Sequence, residues 1–283
     1  MARRTRFAVP VDTCQFSPLQ LHPATALRIG MTALARCIGE QLVDWRVLKT
    51  RHRTTVVIAS VRLDYLRPFN FFSAAEIDVD AGLVIRRGGR FVELDCRLGA
   101  SDDEFARLRV LNRPVRLSGT DALDAAPMDL EPDLLARFQP DEHDPSPLTR
   151  PLRDRLSAVR GSGELIGEGR LDFTVSRADC EIADQWQNVR LPDWLAAGRE
   201  RLVFDGTDAR LKAGLCDPMS RLLAEFRRPM YLGDAGLLHT RAYAGDGSVA
   251  FVHELYSVLP GIGAAQPPLC AVAVEDFPAG TTG

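Results

Sequence analysis

Side chains able to do acid–base, nucleophilic or metal chemistry are few in this sequence, and they are spread out. Five histidines (His22, His52, His143, His239, His253) and six cysteines (Cys14, Cys37, Cys96, Cys180, Cys216, Cys270) form no Cys-x-x-Cys pair and no clustered ligand spacing. Neither a metal site nor a disulfide framework is expected from them, and most of the cysteines read as small buried hydrophobes. What distinguishes a handful of residues is position. His22-Pro23 directly precedes the longest helical pattern, Asp179 precedes a second one, Asn188 stands at the expected N-cap of that second helix, and Glu200 lies further along it. Tyr65 sits late in a strand beside Arg67, whose charge favours a phenolate or holds a carboxylate. An imidazole or carboxylate so placed can activate water or attack a carbonyl directly. Each also has a plain structural role: Asn188 as a cap, His22 as a loop residue, Asp179 and Glu200 as a cap or a solvated face, Tyr65 as core.

The elements that must position these residues are written in the periodicity. Residues 24–45 read as the best helix, with Leu27, Met31, Leu34, Ile38 and Leu42 at spacings of three and four and Pro23 organising the first turn. At full length it would span about 30 Å. A strand at 7–16 leads into it, and strands at 54–66, 74–86, 90–98 and 105–117 follow. In the third of these four, Val92, Leu94, Cys96 and Leu98 alternate with Phe91, Glu93, Asp95 and Arg97, and Gly88-Gly89 marks the hairpin before it. The same order then returns: a strand at 168–178, a helix at 188–204, and strands at 220–231, 236–244, 248–259 and 269–274, with Asp246-Gly247 as a hairpin turn. His253 shares a face with Phe251 and Leu255 and reads as a satisfied core histidine, as does His239, while His52 and His143 read as exposed.

Between the two runs, residues 119–162 are rich in Pro, Asp and Arg and read as a connector with one short helix at 133–138. A chain of 283 residues has room for two domains, here 1–118 and 163–283. Asp64-Tyr-Leu-Arg-Pro68 and Glu225-Phe-Arg-Arg-Pro229 repeat one pattern at corresponding places, so an internal duplication is the better explanation of the matched order. Hydrophobic residues make up 46% and charged residues 26%, the composition of a folded chain rather than a disordered one. The net charge of -3 argues against nucleic acid as a ligand, and no apolar run is long enough for a membrane helix. Only Lys49 and Lys212 among the 35 basic residues are lysines, which reads as base composition. The basic start lacks the apolar core of a secretory signal, so a cytoplasmic protein is expected. Gly161-Ser-Gly-Glu-Leu-Ile-Gly167 has the wrong spacing for a dinucleotide loop, and there is no Gly-x-Ser-x-Gly elbow or P-loop.

A strand, a long helix and antiparallel strands wrapped around it, twice over, resemble the double-hotdog acyl thioesterases. The Tyr65-Leu-Arg-Pro68 stretch resembles the Arg-Pro strand end of acyl-CoA thioesterases of the TesB type. Asp179-Cys-Glu-Ile-Ala-Asp-Gln-Trp-Gln-Asn-Val-Arg-Leu-Pro-Asp-Trp-Leu195 is similar to the acid-then-HVNNVRYLDWL segment of 4-hydroxybenzoyl-CoA and acyl-carrier-protein thioesterases. More distantly, Leu21-His-Pro-Ala-Thr-Ala-Leu27 resembles the helix start of the double-hotdog acyltransferase/decarboxylases of polyketide pathways, without their glycine–histidine pair.

The resemblance implies an α+β double hotdog, two long helices each wrapped by an antiparallel sheet, paired again as a homodimer. It implies an acyl group held as a thioester on coenzyme A or an acyl carrier protein, its carbonyl polarised by the amides and dipole at a helix start. His22 falls where the family has its histidine, with Gln20 or Asp12 to orient it and Glu40 and Gln41 toward the groove. In the second half Asp179, Asn188 and Glu200 belong to the groove, but Gln185 or Trp186 replaces the histidine, so that half either uses a carboxylate alone or has lost its chemistry. Tyr65 would carry decarboxylating transfer, and a His22–Glu200 pair would carry dehydration. Arg67 and Arg228, with Arg62 and Arg227, would meet the phosphates of a pantetheine arm. No cofactor or metal is implied beyond CoA or phosphopantetheine as part of the substrate. Hydrolysis or transfer of the acyl group is the leading expectation, and an acyl-binding protein without catalysis is the other.

Overall fold

The computed structural model describes residues 4–101, 103–117, 125–137, 149–181, 184–258 and 267–278. The chain divides into two units, Met1–Leu148 and Thr149–Gly283. His143, expected to be exposed, lies outside the described residues.

In the first unit the order is β1 (Thr5–Pro10), α1 (Pro23–Cys37), α2 (Trp45–Thr50), β2 (Thr54–Tyr65), β3 (Glu76–Arg86), β4 (Phe91–Ala100), β5 (Asp103–Leu117), β6 (Ala125–Pro127) and α3 (Pro132–Leu135). The strands form an antiparallel sheet in the order β1-β3-β4-β5-β2. Alternation in β4 holds, with Val92, Leu94, Cys96 and Leu98 all buried; Glu93 on the other face is buried too because Arg86 Nε donates to it at 2.7 Å. Short β6 joins β5 beyond the last residue that β4 covers, since β4 pairs as far as Asn112 and β6 takes Val115 to Leu117.

α1 packs against this sheet through Leu27, Leu34 and their neighbours. Gly30 marks the closest crossing: a Cβ there would stand 2.2 Å from Leu108 Cδ2. The helix is shorter than the 24–45 pattern predicts. After Cys37 the coil widens by one residue per turn, and the Val43 amide donates to Ile38, five residues back, at 2.9 Å. Asp44 then caps α2 by accepting from the Arg46 amide at 2.8 Å. Through the wide turn Thr5 donates to Glu40 at 2.6 Å, and Gln41 bridges Thr5 and the Leu83 amide at 3.1 and 3.3 Å. Glu40 and Gln41 therefore tie α1 to β1 and β3, which corrects the expectation that they face a groove. β1 likewise stops at Pro10 rather than at 16, because Asp12 and Gln15 close a tight turn on each other.

The second unit runs α4 (Thr149–Ser162), β7 (Glu164–Thr174), α5 (Leu191–Asp205), α6 (Ala213–Cys216), β8 (Arg221–Phe226), β9 (Ala235–Gly245), β10 (Ser248–Val258) and β11 (Leu269–Pro278). Its antiparallel sheet has the order β8-β11-β10-β9-β7. Asp246 and Gly247, at φ 49° and 68°, make the two-residue turn between β9 and β10. Residues 149–162, read from sequence as connector, are α4. Pro151 falls in its first turn, where proline is tolerated, and Leu152 and Val159 pack with Leu223, Ala250, Val252, Val272 and Val274. The opposite face, carrying Phe251 and His253, lies under α5 and α6. Both faces are covered, so β10 is buried without a break from Val249 to His253 rather than alternating.

Gly198 does in α5 what Gly30 does in α1. Each is the eighth residue of a 15-residue helix, and a Cβ on Gly198 would lie 2.6 Å from Leu238 Cδ2 and 2.8 Å from Thr240 Oγ1. A glycine at the same step of both helices is what a duplicated unit would retain, since each helix must sink equally far onto its sheet.

Candidate active site

The start of α1 is held from several sides. The His22 amide donates to the Gln15 carbonyl at 2.9 Å, and the Leu21 amide donates to Phe69 at 3.3 Å. Phe69 stacks on Phe105 with ring centres 3.8 Å apart. Tyr65 completes the clamp, its hydroxyl donating to the Leu21 carbonyl at 2.6 Å. That bond gives Tyr65 a positioning role at the helix start. Of the two roles expected for Arg67, it takes the second and holds a carboxylate, reaching Asp103 at 2.7 Å to the carboxylate and 3.2 Å to the carbonyl.

His22 is the N-cap residue of α1, exposed, and its side chain makes no capping bond. Pro23 follows at the first helical position and no acidic residue stands in the first turn. The amides of Ala24 and Thr25 have no intrahelical partner, and no side-chain cap supplies one. Within the first turn itself no side chain offsets the positive end of this helix. Asp12 does not orient His22, because its carboxylate accepts from the Cys14 amide at 2.8 Å. Gln20, two residues before His22, is 6% exposed and its Oε1 is buried without a donor.

The corresponding start of α5 is built differently. Asp179 is buried, and its carboxylate accepts from the Ser176 hydroxyl at 2.6 Å, the Ser176 amide at 3.0 Å and Arg190 at 3.4 Å. Burial alone would push this carboxyl up, but the Ser176 and Arg190 bonds outweigh it and hold it below the usual aspartate range. Asn188 is not the cap of α5: it opens a separate turn, Asn188–Arg190, and its carbonyl accepts from the Leu191 amide. The correction has a local cause, since Pro192 and that extra turn move the helix start to Leu191. Arg190 pairs with Asp193 in the first turn at 2.7 Å, so a carboxylate already occupies the positive end. Glu200 is exposed on α5. The Glu181 amide donates to the Gln185 carbonyl at 2.8 Å, and partial desolvation raises its carboxyl above the ordinary glutamate value. Trp186 is 3% exposed, with an indole N–H that finds no acceptor.

Of the other residues predicted to matter, Arg62 is bidentate to Asp64 at 2.5 and 3.1 Å, and Arg227 lies 3.4 Å from Glu225. Arg228 is exposed and has no ion-pair partner among the described residues. His52, expected at the surface, is 7% exposed, with Nδ1 2.8 Å from Glu131. Nothing local in the sequence signals that burial, because Glu131 is 79 residues away. Sequence reading also missed a polar row in the second unit. Thr240, His253, Glu275 and Arg199 bond to one another in its interior, and only the burial of His253 was visible from strand parity.

No protein-family model matches the sequence, and no curated protein matches it. Solved structures do match in fold. A Lactobacillus plantarum protein assigned as an oleoyl thioesterase superposes with a TM-score of 0.69 at 11% identity, over 98% of this chain and 96% of that one. An acyl-ACP thioesterase from Bacteroides thetaiotaomicron gives 0.65 at 10% identity, over 97% of both chains. The 12:0-ACP thioesterase from Umbellularia californica gives 0.64 at 9% identity, again over 97% of both. The chain shares the fold of these solved thioesterase structures. Among the described residues no helix is long and apolar enough to cross a membrane.

Proposed function

We propose that this protein is an acyl-thioester-processing enzyme, a double hotdog that hydrolyses an acyl group carried on coenzyme A or an acyl carrier protein and works as a homodimer. One observation carries the reading: an exposed histidine stands at the start of α1, where no side chain caps the helix and no acidic residue occupies the first turn. The amides of Ala24 and Thr25, with the positive helix end, would receive the thioester carbonyl oxygen and the charge that grows on it. His22 would take a proton from the attacking water and return it to the departing thiol as the C–S bond breaks. At α5 the same place is filled by Asp193, and Asp179 is committed to Ser176 and Arg190. The first unit is therefore the reactive half. Of the four arginines, Arg228 is exposed and has no ion-pair partner among the described residues, which leaves it free to bind an anion.

The test is product analysis on a panel of acyl-CoA and acyl-carrier-protein substrates, with His22→Ala alongside the parent. The expected result is free acid and free thiol, with kcat lowered by about a hundredfold or more in His22→Ala. Release of carbon dioxide or an alkene product would overturn hydrolysis in favour of decarboxylating transfer or dehydration. Tight acyl-CoA binding without turnover would replace the enzyme with a binding protein.

A further inference from the structure

His52 lies between α2 and β2, Glu131 directly precedes α3, and Asp133 lies in the single turn of α3. Together they assemble one imidazole and two carboxylates, with a nitrogen or oxygen of each within 4.8 Å of the others. Two of the three are held in place by the fold. His52 is 7% exposed, its carbonyl accepts from the Thr54 hydroxyl at 2.8 Å, and its Nδ1 lies 2.8 Å from Glu131 Oε2. The chain leading to Glu131 is pinned as well: the Met128 amide donates to Pro114 at 3.1 Å and the Leu130 amide to Gly89 at 3.0 Å. Glu131 is the N-cap residue of α3, yet its carboxylate makes no capping bond and turns to His52 instead. Asp133 is exposed and has no hydrogen-bond or ion-pair partner among the described residues.

One imidazole, even protonated, balances only one of two carboxylates this close together. Arg116 lies 3.9 Å from Glu131 Oε1, but its side chain is 57% exposed, so that pair is worth little and yields readily. We propose that His52, Glu131 and Asp133 bind a zinc ion, the histidine through Nδ1 and each acid through one carboxylate oxygen, with water in the fourth position. Three protein ligands and one water make an ordinary zinc coordination number. The imidazole selects zinc over magnesium and calcium, which prefer oxygen alone. Tetrahedral zinc with bonds of about 2.0–2.2 Å sets its ligand atoms about 3.3–3.6 Å apart. The His52–Glu131 separation therefore widens by about half an ångström as the ion takes the place of the hydrogen bond, the imidazole proton then residing on Nε2. Exposed Asp133 has the freedom to close the remaining distance. The ion would tie residue 52 to residues 131 and 133, a closure across 79 residues that no ligand spacing in the sequence announces. It would fasten α3 beside Leu130 and Leu134, which are already 3% and 1% exposed, and stabilise the folded first unit by mass action.

The experiment dialyses the whole chain against a chelator and titrates it with zinc chloride by calorimetry, with cobalt(II) absorption as a second reading. One saturable zinc ion at this site is expected, weakened about tenfold or more in Asp133→Asn and in Glu131→Gln. Arg116→Gln should tighten it by up to about fivefold, because a competing cation has gone. Cobalt should give the intense visible band of a four-coordinate site, lost in His52→Gln. The same binding is expected in His22→Ala, which separates this site from the centre proposed at α1. No saturable zinc binding by the parent, or binding of equal strength in Asp133→Asn and Glu131→Gln, overturns the proposal. Should His52→Gln fail to fold, the exposed Asp133→Asn variant decides the matter.

Discussion

The acid response of the second unit follows from Glu275. Its carboxyl lies at about 2 in the folded protein against an ordinary 4.5. At about 1.4 kcal/mol per pH unit, the difference makes the ionised form worth on the order of 3 kcal/mol of stability. The folded pKa is depressed, so that contribution is complete above the unfolded value near pH 4.5 and drains away as pH falls toward 2. Glu275→Gln removes it and strands Arg199, itself 9% exposed, without its carboxylate. Breaking a buried pair from one side costs about 3–5 kcal/mol at neutral pH, a Tm drop on the order of 10 °C for a unit of this size. Urea unfolding at pH 7, 5 and 3 should therefore show a variant that starts lower and loses less between pH 5 and 3 than the parent. Replacing both partners, Arg199→Met with Glu275→Leu, should recover only part of the loss, because the apolar pair needs no compensation but His253 Nε2 is left without Glu275. A Glu275→Gln protein as stable as the parent at pH 7, with an unchanged acid slope, would refute the reasoning, since the network would then be holding nothing.

Two further outcomes follow from contacts described above. Gly30→Ala gains up to about 1 kcal/mol of helix propensity but drives a methyl into Leu108, so a net loss of about 1–2 kcal/mol is expected by calorimetry; a rise in Tm would show that α1 floats on its sheet. Asp179→Ala should cost about 1 kcal/mol through the lost cap while thioester turnover stays unchanged; a collapse in kcat with stability intact would return catalysis to the second unit.

Local pattern carried most of the fold, and its failures have local causes too. The α1 pattern at Leu27, Leu34, Ile38 and Leu42 is buried as read, yet the helix ends at Cys37, because an added residue keeps the apolar face in phase while breaking the hydrogen-bond ladder. α4 was hidden by Pro151 and by charged residues on its outer side, although Leu152 and Val159 keep helical spacing. The candidate site was legible only in part. His22 and Asp179 stand at helix starts that proline and spacing announce. That Tyr65 clamps Leu21 and that Thr240, His253 and Glu275 meet are facts of tertiary pairing across 13 to 44 residues, which no short window of sequence contains, whereas Asp179 is tied up by Ser176 and Arg190, 3 and 11 residues away.

The wide turn at Ile38–Leu42 has a bearing on how the helix can change over generations. Removing one residue there would restore an ordinary α-helical path and rotate everything beyond it by about 100°. Glu40 and Gln41 would swing off Thr5, and α2 would leave its seat. The bulge thus works as an expansion joint, absorbing an insertion at the far end of α1 while its first turn stays anchored by Leu21 and Tyr65. The two ends of the helix can then be selected on separately.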